Sequence, residues 1–512
     1  MFSTGFDYSL IKGNVIQRIL AHLIDIVIVI ALTIPFWVLF SFALPDALNL
    51  MASGSFFFII YILYLSVMEG TRFTTIGKRR LGLYVLDLNL EPISLRQAFI
   101  RNVVRVADSV FIYLPLLSRD GRRIGDGAAG TIVVSENAIR PKIPSPSLCR
   151  KILRAPSGVL TQEKAIIKAF LLELKEESKE MDEGLFNKIR DSLSDKLKLD
   201  GESVDRLALD TFLLEEEKVN VALLALALLT GTVVFKEEKV IKVAKEIYRK
   251  ASEICQEPGV RSIFQAKERA LKSLILIKSG FHNKINLRGL LKVYSSVIPK
   301  QFRENLQYFL FSVVLFVSAI LLGYLKLGWL ADLFKEAIVP AGEEIEEISQ
   351  LGLFLIIFLN NARVSIAMCG GGASVFITPV LLMINGIMVG SIGKAMEGLG
   401  KFLFYYSGIT PHGLLELSAF FMSCASGFRA AKSILFPQHG MSRYKSLKEA
   451  FDKSFELGFG SIVFLGPAAA IESFITERLM GKPRYATYVG AGAASLLYVY
   501  LLLGGRSKES SC

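Results

Sequence analysis

His412 and Glu416 stand one helical turn apart in the run Pro411-His412-Gly413-Leu414-Leu415-Glu416, at the mouth of an apolar segment that continues to Gly427. Residues at i and i+4 share one helix face. An ionisable group at membrane depth is costly and therefore faces a bundle interior or a water-filled cavity. Arg363, Asn385 and Glu472 lie in or beside apolar runs of the same half of the chain, so the five could converge into one polar cluster. Such a cluster would suit a proton or cation relay. In the plainer alternative, His412 caps a helix at the interface while Glu416, Glu472 and Arg363 neutralise one another. A partner-docking surface is a third reading. A metal site has weak support, because only one of the four histidines belongs to the set, and no cofactor is expected.

A second pair lies near the other end. Arg18 begins the first apolar run and Asp25 follows seven residues later, nearly two full turns, so both face the same way. They could serve transport, or pair simply to lock helices together. A buried ion pair alone is poor evidence for function.

The elements that must hold these groups are membrane helices. The chain has 512 residues, of which 52% are hydrophobic and 36 are Phe. That composition predicts an all-α, polytopic membrane bundle rather than a soluble protein. The net charge of +12 is explained by basic loops between apolar runs, so nucleic acid is not expected as a partner. The five cysteines show neither a CxxC pair nor metal-type spacing, which argues against a disulfide framework. The first apolar run, 19–43, is too long for a signal peptide and is expected to remain as an anchor.

Three zones separate by composition: residues 1–140, 141–300 and 301–512. The first holds spans at 19–43 and 53–68, plus a shorter apolar stretch from Val103 to Leu117, broken by Arg105 and Asp108, that suits an interfacial or re-entrant helix. The second opens on a Pro- and Ser-rich linker and reads as a soluble helical domain, its apolar patch 221–235 being a buried core helix. The third holds spans at 307–325, 351–368, 373–391, 413–429, 456–472 and 486–504. Eight spans put both termini on one side. Basic residues after the second span (among them Arg72, Lys78, Arg96, Arg101 and Arg105) and after the sixth, with acids at 343–347, place the termini and the 141–300 domain in the cytoplasm of a prokaryotic cell.

Catalytic signatures are missing. Gly370-Gly371-Gly372 lacks the Gly-Lys-Ser/Thr ending of a P-loop, and there is no Gly-x-Ser-x-Gly elbow or His-Glu-x-x-His. The His412–Glu416 run lacks a second acid or nucleophile at usable sequence spacing, so no enzyme is expected. Gly-Gly-Gly and Asn385-Gly386 permit close helix approach or an unwound turn, and Pro411 suits the first turn of a helix.

Arg18, Asp25, Thr74-Thr75-Ile76-Gly77-Lys78-Arg79, Arg101-Asn102, Arg123-Ile124-Gly125-Asp126 and Gly130-Thr131-Ile132-Val133-Val134 together make residues 10–135 resemble the RDD family of membrane domains. The resemblance assigns the family's arginine to Arg18 and its two aspartates to Asp25 and Asp126, and it implies a role in transport or ion handling. Asn360-Asn361-Ala362-Arg363, Asn385-Gly386, Pro411-His412-Gly413-x-x-Glu416-Leu417 and Ile471-Glu472-Ser473-Phe474-Ile475 make residues 300–510 similar to the stage II sporulation protein M family. The Asn360–Asn361 doublet leaves two candidates for that family's asparagine, of which Asn361 joins the candidate site. Neither the first zone nor the helical insert belongs to a sporulation protein, so sporulation is not implied. The resemblance implies a scaffold that recruits partner proteins in envelope remodelling, through the 141–300 domain; an ion- or proton-coupled transporter is the rival. Besides the lipid bilayer and that unknown protein, self-association into a homo-oligomer stays open.

Overall fold

A computed structural model describes residues 13–110, 122–136, 258–284, 287–326 and 348–505. The 221–235 patch, the linker, the acidic loop, residues 111–117, and Cys149, Cys255 and Cys512 lie outside the described residues. The N-terminal elements are α1 (Val15–Ala43), α2 (Asp46–Arg72), α3 (Ile76–Arg80), β1 (Leu83–Asp87), α4 (Leu95–Val103), α5 (Arg105–Val110), α6 (Ile124–Ala129) and β2 (Thr131–Ser135). Next come α7 (Pro258–Lys278), α8 (Leu287–Lys292), a π-helical turn (Val293–Val297), α9 (Ile298–Glu304) and α10 (Leu306–Leu325). The remainder is α11 (Gln350–Gly371), α12 (Ile377–Gly398), α13 (Phe402–Leu435), α14 (Arg443–Asp452), α15 (Phe455–Gly460), α16 (Ile462–Ile471), a second π-helical turn (Glu472–Thr476), α17 (Glu477–Leu479) and α18 (Pro483–Leu503).

The chain divides into two compact units. The smaller comprises residues 1–18, 78–92 and 132–282, and its described core is the two-stranded sheet β1–β2 with α7. Ala266, Ala270, Leu271 and Leu274 are buried at helical spacing along α7. Ser273 Oγ donates to the Leu90 carbonyl at 2.6 Å, and Lys278 Nζ lies 2.6 Å from Glu136.

The larger unit comprises residues 19–77, 93–131 and 283–512. Among the described residues, seven helical stretches are long and apolar enough to cross a membrane: 15–42, 48–72, 306–325, 350–374, 377–398, 455–479 and 483–503. Large apolar side chains such as Leu310, Phe311, Leu496 and Val499 are exposed on them, as lipid contact requires. The span expected at 413–429 falls within α13, whose composition is more polar. Its 34 residues make a rod of about 51 Å at 1.5 Å per residue, well beyond a bilayer's hydrocarbon core.

Burial by protein explains that polarity. Helix α13 packs on α10, α11, α12, α14, α15, α16 and α18 and is the hub of the bundle. Its serines face partners rather than lipid: Ser418 lies 2.9 Å from Tyr498 Oη, Ser423 2.8 Å from Ser461 Oγ and Ser426 3.2 Å from Ser454 Oγ. Interhelical hydrogen bonds of this type hold membrane helices together where no hydrophobic drive exists.

Asn385-Gly386 lies in unbroken helix, so its glycine serves close approach rather than unwinding. A Cβ at Gly390 would lie 2.1 Å from the Ile320 carbonyl oxygen of α10. Gly386 and Gly390, four residues apart, thus bring the α12 backbone against α10. The glycine run ends α11 and leads through a 3₁₀ turn to Val375, whose φ of 76° is strained for a β-branched residue.

Both membrane zones contribute to one core. Ile62, Ile100, Val103, Val104 and Ala107 pack with Ile366, Cys369, Ala430, Phe451 and Phe455. The boundary at residue 300 also falls inside packed helix, for α9 lies against α15 and α18.

Candidate functional site

In the N-terminal part of the larger unit, every sequence-predicted carboxylate is satisfied. Asp25 of α1 accepts from Tyr64 Oη at 2.9 Å, Thr75 Oγ1 at 2.6 Å and the Gly77 backbone N–H at 2.9 Å. The last bond holds the start of α3 against α1, where a Cβ at residue 77 would meet the Ala21 carbonyl oxygen at 2.1 Å. This explains the Thr-Thr-x-Gly motif as a helix-docking device. Arg18 is buried in the first turn of α1, within the smaller unit.

Asp126 belongs to a buried ion-pair knot. Arg101 of α4 places Nη1 3.1 Å from Asp126 Oδ1 and Nε 3.1 Å from Glu69 Oε2, all three side chains being at most 2% exposed. Asn102 Nδ2 donates to the same Glu69 oxygen at 3.0 Å. Glu69 escaped sequence analysis, although a lone acid near the end of an apolar span was a usable signal. Arg101, Arg105 and Arg96, assigned to basic loops from sequence, are pairing residues instead. Arg105 donates to Tyr61 Oη at 2.9 Å, and Arg96 pairs with Asp452 and Glu456.

The C-terminal half holds a different kind of cluster. Pro411 is not in a first turn but is the tenth residue of α13, so His412 and Glu416 lie inside the helix rather than at its mouth. Pro411 has no N–H to give the Ser407 carbonyl. At this weakened turn α18 approaches the α13 backbone, for a Cβ at Gly490 would lie 2.2 Å from the Thr410 carbonyl oxygen.

Across from His412 the helix after α16 widens into the π turn Glu472–Thr476. Such one-turn bulges recur at functional sites. This one aims two side chains at the imidazole: Glu472 Oε2 lies 3.5 Å from His412 Nε2, and Thr476 Oγ1 lies 3.3 Å from His412 Nδ1. His412, Glu416 and Glu472 each offer one ligand-type atom, all within 4.8 Å of one another. Glu472 is thus the second acid that sequence spacing did not supply.

The cluster is smaller than the five-residue group expected. Arg363 Nη2 donates to Asn360 Oδ1 at 2.8 Å along its own helix, and Asn385 Nδ2 donates to the Leu381 carbonyl at 2.8 Å. Among the described residues neither makes a hydrogen bond or ion pair to the cluster. Asn361 is half-buried on α11. Among the described residues no basic side chain pairs with Glu416 or Glu472 in the way Arg101 pairs with Glu69 and Asp126.

Apolar spans around a polar hub define a polytopic helical membrane protein. Within that class two families are matched in one polypeptide: residues 12–155 match the RDD family, and residues 310–477 match Stage II sporulation protein M. An uncharacterized protein of Methanocaldococcus jannaschii is 30% identical over 141 residues, which cover 27% of this chain and 74% of that one. No solved structure matches the chain significantly.

Proposed function

We propose that this protein is a non-enzymatic membrane scaffold that anchors partner proteins in envelope remodelling, with both termini and the 141–300 region in the cytoplasm. The observation that carries this reading is the core that the two membrane zones share, clasped by Arg96 against Asp452 and Glu456. A platform needs such rigidity, whereas alternating access requires one bundle to rock against another. Dry pairs in place of a polar path at Glu69, Arg101 and Asp126 support the same reading.

Proximity labelling in cells tests it. The full chain is expected to mark a small, reproducible set of envelope proteins, and deletion of residues 141–257 is expected to erase that set while the membrane bundle persists. Labelling that is unchanged by the deletion counts against the scaffold.

One observation favours a second reading, an ion- or proton-coupled transporter: His412, Glu416 and Glu472 bring ligand-type atoms within 4.8 Å of one another, with no basic partner among the described residues. Proteoliposomes discriminate the two. Proton or cation flux in the wild type that disappears in Glu416→Gln and Glu472→Gln at matched incorporation would replace the scaffold with a transporter.

A further inference from the structure

We infer that His412, Glu416 and Glu472 form a binding site for one divalent transition-metal ion of the zinc class, held inside the membrane bundle. The inference does not depend on the scaffold reading.

The first argument is the tautomer of His412. Thr476 has a single hydroxyl hydrogen, and its Oγ1 donates it to the Ile471 carbonyl at 3.1 Å. With that hydrogen engaged, the same oxygen, 3.3 Å from His412 Nδ1, accepts from the ring in its Nδ1–H tautomer, the form this pairing selects. The Nε2 lone pair is thereby turned toward Glu472 Oε2, 3.5 Å away. A lone pair facing a carboxylate oxygen at that distance is repulsive unless a cation lies between them. Metal-bound histidines are oriented in this way, the outer nitrogen donating to an oxygen that fixes ring and tautomer.

Charge is the second argument. A neutral imidazole and two carboxylates carry a total of −2, which a divalent ion cancels. Two half-buried carboxylates at membrane depth, with no basic partner among the described residues, would be very costly. Other buried acids here are stabilised differently, for Glu69 and Asp126 share an arginine and Asp25 accepts three hydrogen bonds.

Geometry is the third. Around a tetrahedral zinc with bonds near 2.0–2.1 Å, neighbouring ligand atoms lie about 3.3 Å apart. The His412–Glu472 separation of 3.5 Å already fits, and ligand atoms within 4.8 Å close on an ion by side-chain rotation. One imidazole with two carboxylates suits zinc, cobalt, manganese or iron better than calcium or magnesium, which prefer all-oxygen shells. Three protein ligands leave the fourth position to water or to a group brought by a partner. Glu472, 30% exposed, marks the open side.

The test uses tag-free full-length protein in lipid nanodiscs, stripped with chelator and equilibrated with Zn²⁺ or Co²⁺ before desalting. Elemental analysis is expected to find about one metal per chain, and the Co²⁺ form is expected to show the intense visible bands of a tetrahedral site. Glu416→Gln and Glu472→Gln should each cut retained metal at least about tenfold, while Thr476→Val, which binds no metal itself, should weaken affinity roughly 10- to 100-fold. Wild-type protein that retains no metal overturns the proposal without reference to any variant, and leaves a proton as the bridging cation. Full retention by folded Glu472→Gln also overturns it, by placing the metal elsewhere, for example on the exposed His282 or His439.

Discussion

Arg96 of α4 reaches across 356 positions of sequence to place Nη1 2.6 Å from the Asp452 carboxylate of α14. Its remaining nitrogens go to Glu456 and to the backbone carbonyls of Phe451 and Asp452, at 3.3 and 3.2 Å. Gln301 Nε2 reaches the same glutamate at 2.7 Å, so a residue just before α10 joins the clasp. The guanidinium fork, rather than its charge alone, ties the two family regions together.

Arg96→Lys therefore keeps the charge but loses the fork. Because Arg96 and Asp452 are about one-third exposed, water screens them and the cost stays near 1 kcal/mol for Lys and about 1–2 kcal/mol for Ala. Thermal unfolding of the purified chain in detergent would register both; an Arg96→Ala melt equal to wild type would show that the clasp is ornamental.

Arg101 sits in a far drier place. Arg101→Met removes the guanidinium that Glu69 and Asp126 share in the interior, and should cost about 3–5 kcal/mol. Replacing all three at once (Arg101→Met, Glu69→Gln, Asp126→Asn) should recover much of that loss, because the charges disappear together. Yield of monodisperse protein and its melting temperature would separate this from a knot that no longer matters.

The α10–α12 contact depends on absent side chains. Gly390→Leu must push the helices apart and should destabilise by at least about 1–3 kcal/mol. Gly492→Ala, where a new Cβ meets nothing within 4 Å, should instead be neutral or stabilise by up to about 1 kcal/mol. Parallel melts of the two variants measure the difference, and equal behaviour would contradict the packing described.

Acidity should act through Asp108. Burial pushes its carboxyl up to about 6, against the opposing pull of Arg123, while Asp126 adds to the rise. A carboxyl raised above its unfolded value stabilises fully below about pH 4, and that contribution is lost as pH climbs through 6. Asp108→Asn, which still offers an oxygen to the Ile124 N–H, should flatten this part of the stability–pH curve. An unchanged slope between pH 4 and 6.5 would assign the titration to another group.

The apolar spans were legible because lipid demands an outward apolar face whatever the interior does. Helix α13 was legible only in part, since protein surrounds it and permits Ser418, Ser423 and Ser426 where lipid would not. His412 and Glu416 could be paired from local spacing, but Glu472 lies 56 residues beyond Glu416, and only the fold brings it close. The pairing of Arg96 with Asp452 left no periodic trace either. Arg96, Arg101 and Arg105 were read as topological signals because sequence cannot distinguish a solvated loop charge from one half of a buried pair.

The hub position of α13 also constrains how the chain is made. Helices α10, α11 and α12 leave the ribosome before it, and each must wait in the lipid for the helix around which it finally packs. During that interval the glycine contact of α10 with α12 can form, but the partners of Ser423 and Ser426 on α15 and its flanks have not yet been synthesised. When α13 enters, its own histidine and glutamate arrive about 60 residues ahead of Glu472. The nascent bundle therefore carries a half-built polar centre until the stretch 455–479 follows, a stage at which an insertase or a lipid headgroup has the most to shield.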